Sequence, residues 1–183
     1  MPILSPETTI YPGSLLDSSL ATDSTWWAMY TLPRHEKKLM RLLFEREIPF
    51  YSPVIKRRYR SPNGRLRCVM QPLFSGYVFV CGDEQQRYAS VCTGCVSRWL
   101  HVPNPSELVV DLQQIQRLIA TDAPLSPERR MVAGQRVRIR NGAFAGYEGV
   151  ILRRERGLCL QVSVRFMDQG VLVLLDDCQA DII

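Results

Sequence analysis

The feature that most constrains this chain is a change of hydrophobic period near residue 121. Upstream of it, apolar residues recur both in strand-like runs and at the three- and four-residue steps of a helix. Downstream, the helical step disappears. Arg136-Val137-Arg138-Ile139-Arg140 alternates strictly, as does Leu158 to Phe166, and Val171 to Leu175 does so less strictly. Glycines at 134, 142, 146, 149, 157 and 170 punctuate these segments. Short alternating strands with glycine turns predict a small all-β barrel over residues 132–183. Between the two regimes, residues 121–131 (TDAPLSPERRM) hold two prolines and mixed charge, and read as a linker.

The N-terminal half mixes elements. Thr25 to Thr31 is aromatic and β-compatible, and reads as a first strand. After Pro33, Leu39, Leu42, Leu43 and Phe44 mark the apolar side of an amphipathic helix, with Arg34, Lys37, Lys38 and Arg41 on the other side. That helix should stop before Ile48-Pro49, because proline disfavours a helical residue ahead of it. Ser52 to Arg60 and Arg65 to Met70 flank Asn63-Gly64, a pair suited to the positive φ of a type I′ hairpin turn. Pro72 to Cys81 predicts a central strand, with Gly76 permitting a sharp turn into it, and Arg98 to Val102 a shorter one. Asp111 to Ile119 predicts a second helix, with Asp111 as its cap and Gln114 at the capping-box position. Together these make residues 25–120 an α+β domain, an antiparallel sheet with flanking helices. Residues 1–24 are rich in Ser, Thr and Pro, without a basic start or an apolar run; they read as a disordered tail rather than a secretory signal.

Charge narrows the function. The net charge is +5, but residues 34–67 carry eleven Lys or Arg against three Glu, so the rest of the chain is net negative. A local excess of this kind suits a polyanion, because each neutralised phosphate releases counterions. The hairpin arms concentrate it in Lys56, Arg57, Arg58, Arg60, Arg65 and Arg67, the candidate nucleic-acid contacts; a merely solvated basic surface is the alternative. No run approaches the roughly 20 apolar residues that span a bilayer. Of the six cysteines (68, 81, 92, 95, 159 and 178), Cys92 and Cys95 form a C-x-x-C. Zinc needs four ligands, and the only histidines, His35 and His101, stand 66 residues apart, so reduced thiols are the simpler expectation and neither metal nor cofactor is implied. No acid–base pair, phosphate loop or nucleophile with an orienting histidine is evident, which points to a binding protein and not an enzyme.

Three stretches, WWAMYTLPRHEKK from Trp26, PLFSGYVFV from Pro72 and GQRVRIRNGAFAGYEGV from Gly134, together resemble the NusG family of transcription elongation and antitermination factors. The resemblance covers residues 26–183; Phe74-Ser75-Gly76-Tyr77 is close to the family's F-P-G-Y pattern, with Ser75 in place of the proline. It implies an α+β N-terminal domain, a flexible linker and a C-terminal KOW (SH3-like) barrel. It also implies a cytoplasmic, monomeric protein, away from membranes, that docks on the clamp helices of RNA polymerase. By motif, Tyr30, Tyr77 and Phe79 would line the docking depression, with Ile115 and Leu118 as neighbours, although all five are also candidates for core. The basic hairpin would lie near upstream or non-template DNA. Phe144 and Tyr147 would fall in the loop through which relatives hold a ribosomal protein or a termination factor, and Phe144 could equally close the barrel. Asp83 to Ala89, DEQQRYA, lacks the Thr/His-rich polymerase-contacting loop of the family's specialised antiterminator, so a general factor and an operon-specific paralogue both stay open. A ribosome-associated or general RNA-binding KOW protein would also explain the barrel and the charge, but not the aromatic central strand.

Overall fold

The computed structural model describes residues 7–62, 64–128, 134–154, 157–167, 169–175 and 180–183. The chain divides into two compact units, Met1–Ser106 and Glu107–Ile183.

In the first unit the chain runs β1 (Ile10–Tyr11), α1 (Ser19–Asp23), β2 (Trp26–Thr31), α2 (Glu36–Glu45) and β3 (Phe50–Tyr51). It continues through β4 (Val54–Arg60), β5 (Leu66–Pro72), β6 (Tyr77–Cys81), α3 (Glu84–Val91) and β7 (Val96–His101). Among the described residues, five strands form an antiparallel sheet in the order β1-β3-β6-β2-β7, while β4 and β5 pair only with each other. The central place of β6 matches its continuous apolar run, although the strand begins at Tyr77 and residues 73–76 form a turn. Alternation then sorts the sheet. Trp27, Met29, Val78 and Val80 meet Leu39, Met40 and Leu43 of α2 in one core. Trp26, Ala28, Phe79 and Cys81 face the other way.

Residues 7–24 do not behave as the expected disordered tail. Leu15, Leu16 and Ala21 are buried. The Trp26 indole N–H donates to the Ala21 carbonyl at 2.7 Å, so a buried polar group of the first long strand is satisfied by this segment. Residues 1–6 lie outside the described residues.

Helix α2 buries Leu39, Met40 and Leu43, whereas Phe44 is exposed and rests edge-on against Tyr11, ring centroids 5.3 Å apart. At 100° per residue Phe44 falls about 90° from the centre of the buried arc, which explains its position at the margin. The helix stops where Ile48-Pro49 predicted, through a left-handed Glu47 (φ 54) with Ile48 N–H on the Leu43 carbonyl at 3.0 Å and Glu47 N–H on that of Phe44 at 3.1 Å. The hairpin turn differs from the expected type I′. Gly64 N–H donates to the Ser61 carbonyl at 2.9 Å, so Pro62 takes the first central position, where its fixed negative φ excludes a primed turn. Asn63 lies outside the described residues. Helix α3, unexpected from DEQQRYA, is started by a capping box: the Asp83 carboxylate accepts from Gln85 and Gln86 N–H, and the Gln86 side chain accepts from Asp83 N–H.

The second unit carries helix α4 (Pro105–Ala120, its first two residues in the first unit) and six strands. These are β8 (Leu125–Glu128), β9 (Arg136–Ile139), β10 (Glu148–Arg154), β11 (Gly157–Val164), β12 (Gln169–Leu174) and β13 (Ala180–Ile182). Among the described residues they form an antiparallel sheet in the order β13-β9-β10-β11-β12-β8. Three expectations change here. Helix α4 starts at Pro105, a residue suited to the first helical position, so Asp111 is a mid-helix residue and not a cap. Residues 125–128 of the expected linker pair with β12 as an edge strand, where Pro127 is tolerated; residues 129–131 lie outside the described residues. Strand β11 ends at Val164 and gives way to a short 3-10 turn, and Cys159 to Val162 are all buried, as a strand between two neighbours allows. Among the described residues, no helix is long and apolar enough to cross a membrane.

Candidate functional site

The hairpin follows from sequence directly. Its β4–β5 register runs from Val54 opposite Pro72 to Arg60 opposite Leu66, and every described residue from Lys56 to Arg60 and from Gly64 to Met70 is exposed. Alternation splits the six expected basic residues. Lys56, Arg58 and Arg60 share one face, Arg57 and Arg67 the other, and Arg65 lies in the turn. Among the described residues, ion pairs engage none of the six; Arg57 donates to the Gln71 amide oxygen at 3.4 Å. Unneutralised cations on a two-stranded ribbon give a positive potential that a polyanion would lower.

A second constellation forms at one end of the larger sheet. Tyr30 sits directly between Tyr77 of β6 and Arg98 of β7. The tyrosine rings meet edge-to-face with centroids 5.1 Å apart, and the Arg98 guanidinium lies 4.6 Å from the Tyr30 ring centre. Both tyrosines are half-buried. Gly76 makes this possible: its φ is +83, and a Cβ there would lie 3.1 Å from Tyr30 Cε2. The turn is fixed on both sides, by Thr31 N–H donating to the Gly76 carbonyl at 2.8 Å and Gly76 N–H donating to Glu36 Oε1 at 2.8 Å.

Phe79, Ile115 and Leu118 correct the expectation. Each has no exposed surface. Phe79 is two residues into β6, under Phe74, with ring centroids 6.4 Å apart; Ile115 and Leu118 lie on the buried side of α4 in the second unit. As folded here they are core. Arg98 was not singled out in the sequence, although the pairing of two strands could have found it.

In the second unit, Phe144 and Tyr147 are half-buried in the loop between β9 and β10, ring centroids 6.1 Å apart. Burial raises the Tyr147 phenol above its ordinary range, and the Arg117 cation opposes this. Helix α4 is tied to the strands by polar bonds. Asp111, almost fully buried, accepts from the Arg165 backbone N–H at 3.0 Å and from its guanidinium at 3.1 and 3.3 Å. Gln114 accepts from Glu148 N–H at 3.1 Å. These groups border a small cavity of about 220 Å³ that also touches Arg136 and Ser163. The Asp111 hydrogen bonds hold Arg165 above its ordinary pKa.

Cys92 and Cys95 are both free thiols; Cys92 is exposed at the end of α3 and Cys95 is buried beside the Thr93 carbonyl. Among the described residues, His, Cys, Asp and Glu nowhere gather in a group that could hold a metal ion.

Comparison with curated proteins gave no match. The family model described as transcription termination factor nusG matches residues 24–119, just over half of the chain. That span holds both the tyrosine–arginine row and the basic hairpin, and the chain belongs to the NusG family of transcription factors.

Proposed function

We propose that this chain is a transcription elongation or antitermination factor that docks on the clamp helices of RNA polymerase through its first unit. The observation that carries this is the Tyr30–Tyr77–Arg98 row, an aromatic patch with a cation at the end of a sheet inside the family-matched span. Rigid aromatics suit an anchor because they give large contact area for little lost entropy. The hairpin then reaches upstream or non-template DNA with Lys56, Arg57, Arg58, Arg60, Arg65 and Arg67, mainly through phosphates. In this reading the six strands of the second unit are a KOW-type barrel, and Phe144 and Tyr147 offer its loop to a ribosomal protein or termination factor. The protein acts by binding, without catalysis.

The test is a binding measurement with purified RNA polymerase. Tyr30→Ala with Tyr77→Ala, in a folded variant, is expected to weaken binding at least ~10-fold, the range in which interface aromatics act as anchors. Unchanged affinity rejects the docking surface. Recovery of ribosomal subunits without polymerase in a pull-down would favour a ribosome-associated KOW protein instead.

A further inference from the structure

The hairpin has two open faces, and its register gives them different chemistry. On one, Lys56, Arg58 and Arg60 stand beside Leu66, Cys68 and Met70; on the other, Arg57 and Tyr59 stand beside Arg67 and Val69. Tyr59 is directly opposite Arg67 and two residues along the strand from Arg57, with 44% of its surface exposed. Such neighbours lie about 5 Å across the ribbon and 6.6–6.8 Å along it. Among the described residues the Tyr59 ring packs on no other ring and under no guanidinium. Among the described residues the sheet of β4 and β5 consists of these two strands alone.

We propose that the Arg57–Tyr59–Arg67 face binds single-stranded nucleic acid, with an unpaired base stacked on the Tyr59 ring and the two arginines on the flanking phosphates. This rests on the reading of the hairpin as a nucleic-acid-facing arm and names the form of ligand that one of its faces takes. A paired base has both π-faces covered within the duplex stack, so an exposed ring between two cations is matched by an unpaired base. Phosphate contacts alone would need the arginines and not the ring. Cross-strand packing alone would be served by any large apolar side chain. The face offers cations and a ring, and its one amide oxygen, on Gln71, is engaged by Arg57. Base stacking and phosphate contacts are common to unpaired DNA and RNA, so the two present this face with the same chemistry.

The experiment titrates the full chain against labelled single-stranded DNA, single-stranded RNA and duplex DNA of equal length, by fluorescence anisotropy over a range of salt. Tyr59→Ala and Tyr59→Leu are expected to lose at least ~5-fold in single-strand affinity. Their duplex affinity should stay within about twofold and their salt slope unchanged. Tyr59→Trp should bind single strands as tightly as the parent or more tightly. An effect in the DNA arm, the RNA arm or both supports the site and identifies its source. Tyr59→Leu binding like the parent, or Tyr59→Trp binding like Tyr59→Ala, overturns the stacking role. Arg57→Glu with Arg67→Glu reads the underlying premise separately for this face: if it leaves every affinity and salt slope unaltered, this face does not meet nucleic acid at all, whatever Lys56, Arg58 and Arg60 do on the other. If it weakens binding while the Tyr59 variants do not, only the stacking is lost.

Discussion

Replacing Gly76 by alanine probes the turn that supports the tyrosine pair, and its cost can be built from two terms. The first is conformational: at φ +83 a Cβ costs roughly 1–2 kcal/mol, partly offset by about 0.4–1 kcal/mol from the stiffer unfolded chain. The second is the ring. A Cβ 3.1 Å from Tyr30 Cε2 requires that ring to give by a few tenths of an ångström, which disturbs its packing on Tyr77 and Arg98 and forfeits at most about 0.5–1.5 kcal/mol of aromatic pairing. Gly64 isolates the first term, since its φ is +74 and a Cβ there meets nothing within 4 Å. Gly76→Ala should therefore destabilise by up to about 3 kcal/mol and Gly64→Ala by up to about 1.6 kcal/mol. Urea unfolding followed by tryptophan fluorescence reports this, because Trp26 and Trp27 lie on the same strand as Tyr30. In a double-mutant cycle, Tyr30→Ala should remove the ring term and make Gly76→Ala resemble Gly64→Ala. Equal costs at the two glycines in the parent, or full additivity with Tyr30→Ala, would refute the claim that Gly76 is there to seat the ring.

Two further perturbations test packing elsewhere. Asp111→Ala takes the acceptor from three donors of Arg165, whose side chain is 43% exposed and recovers part of its solvation, so a loss of about 1–3 kcal/mol is expected on thermal unfolding. Glu107→Ala, whose carboxylate is half exposed and 3.7 Å from Arg165, should change stability by less than about 0.5 kcal/mol; equal losses would show that burial of Asp111 is not what matters. Burial raises the Cys81 thiol from 9.0 to about 11. The unfolded chain then gives up this proton at lower pH than the folded one, so stability present below pH 9 is lost as pH rises toward 11, at up to roughly 1.4 kcal/mol per pH unit. Cys81→Ala should flatten the decline between about pH 9 and 10, before the unfolded-chain tyrosines titrate; an identical decline in the variant would remove Cys81 as its cause.

The parts of the fold legible in the sequence are those whose pattern is dense and local. Strand β2, the face of α2, the hairpin arms and the centre of β6 each announce themselves within ten residues or so. What escaped is sparse or depends on a distant partner. Leu15, Leu16 and Ala21 are few among serines and threonines, and the ties of their segment to the sheet are the Ala21 and Leu20 carbonyls that accept from Trp26 and Cys81, which no local pattern reveals. Helix α3 buries little besides Ser90, so periodicity had nothing to detect, and the readable signal was Asp83 with Gln86 three residues on. Strand β8 contains Pro127, which reads as a breaker unless the strand is known to lie at a sheet edge. Asp111 looked like a cap because its Arg165 partner is 54 residues away.

The candidate site shows a sharper limit, because period-two logic gives the face of a side chain and not its depth. Tyr30, Tyr77 and Phe79 do share a face, yet only the pair at the strand end reaches solvent. The consequence is energetic. Large aromatic side chains bury 150–250 Å² each at most, and two half-buried tyrosines with Arg98 therefore offer well under the roughly 800 Å² per partner of a standard interface. A patch of that size can anchor a partner without making up a whole stable interface. In the proposed reading additional binding comes from other surfaces of the same chain, and the hairpin would supply one whose attraction is electrostatic, salt-dependent and indifferent to sequence. Two weak contacts joined by one polypeptide act through effective concentration, so loss of either should cost far more on a transcription complex than on its isolated target. That expectation separates a clamp-docking factor from a general RNA binder: for the former, salt that weakens the hairpin should also loosen the tyrosine contact, and for the latter the tyrosines should be silent.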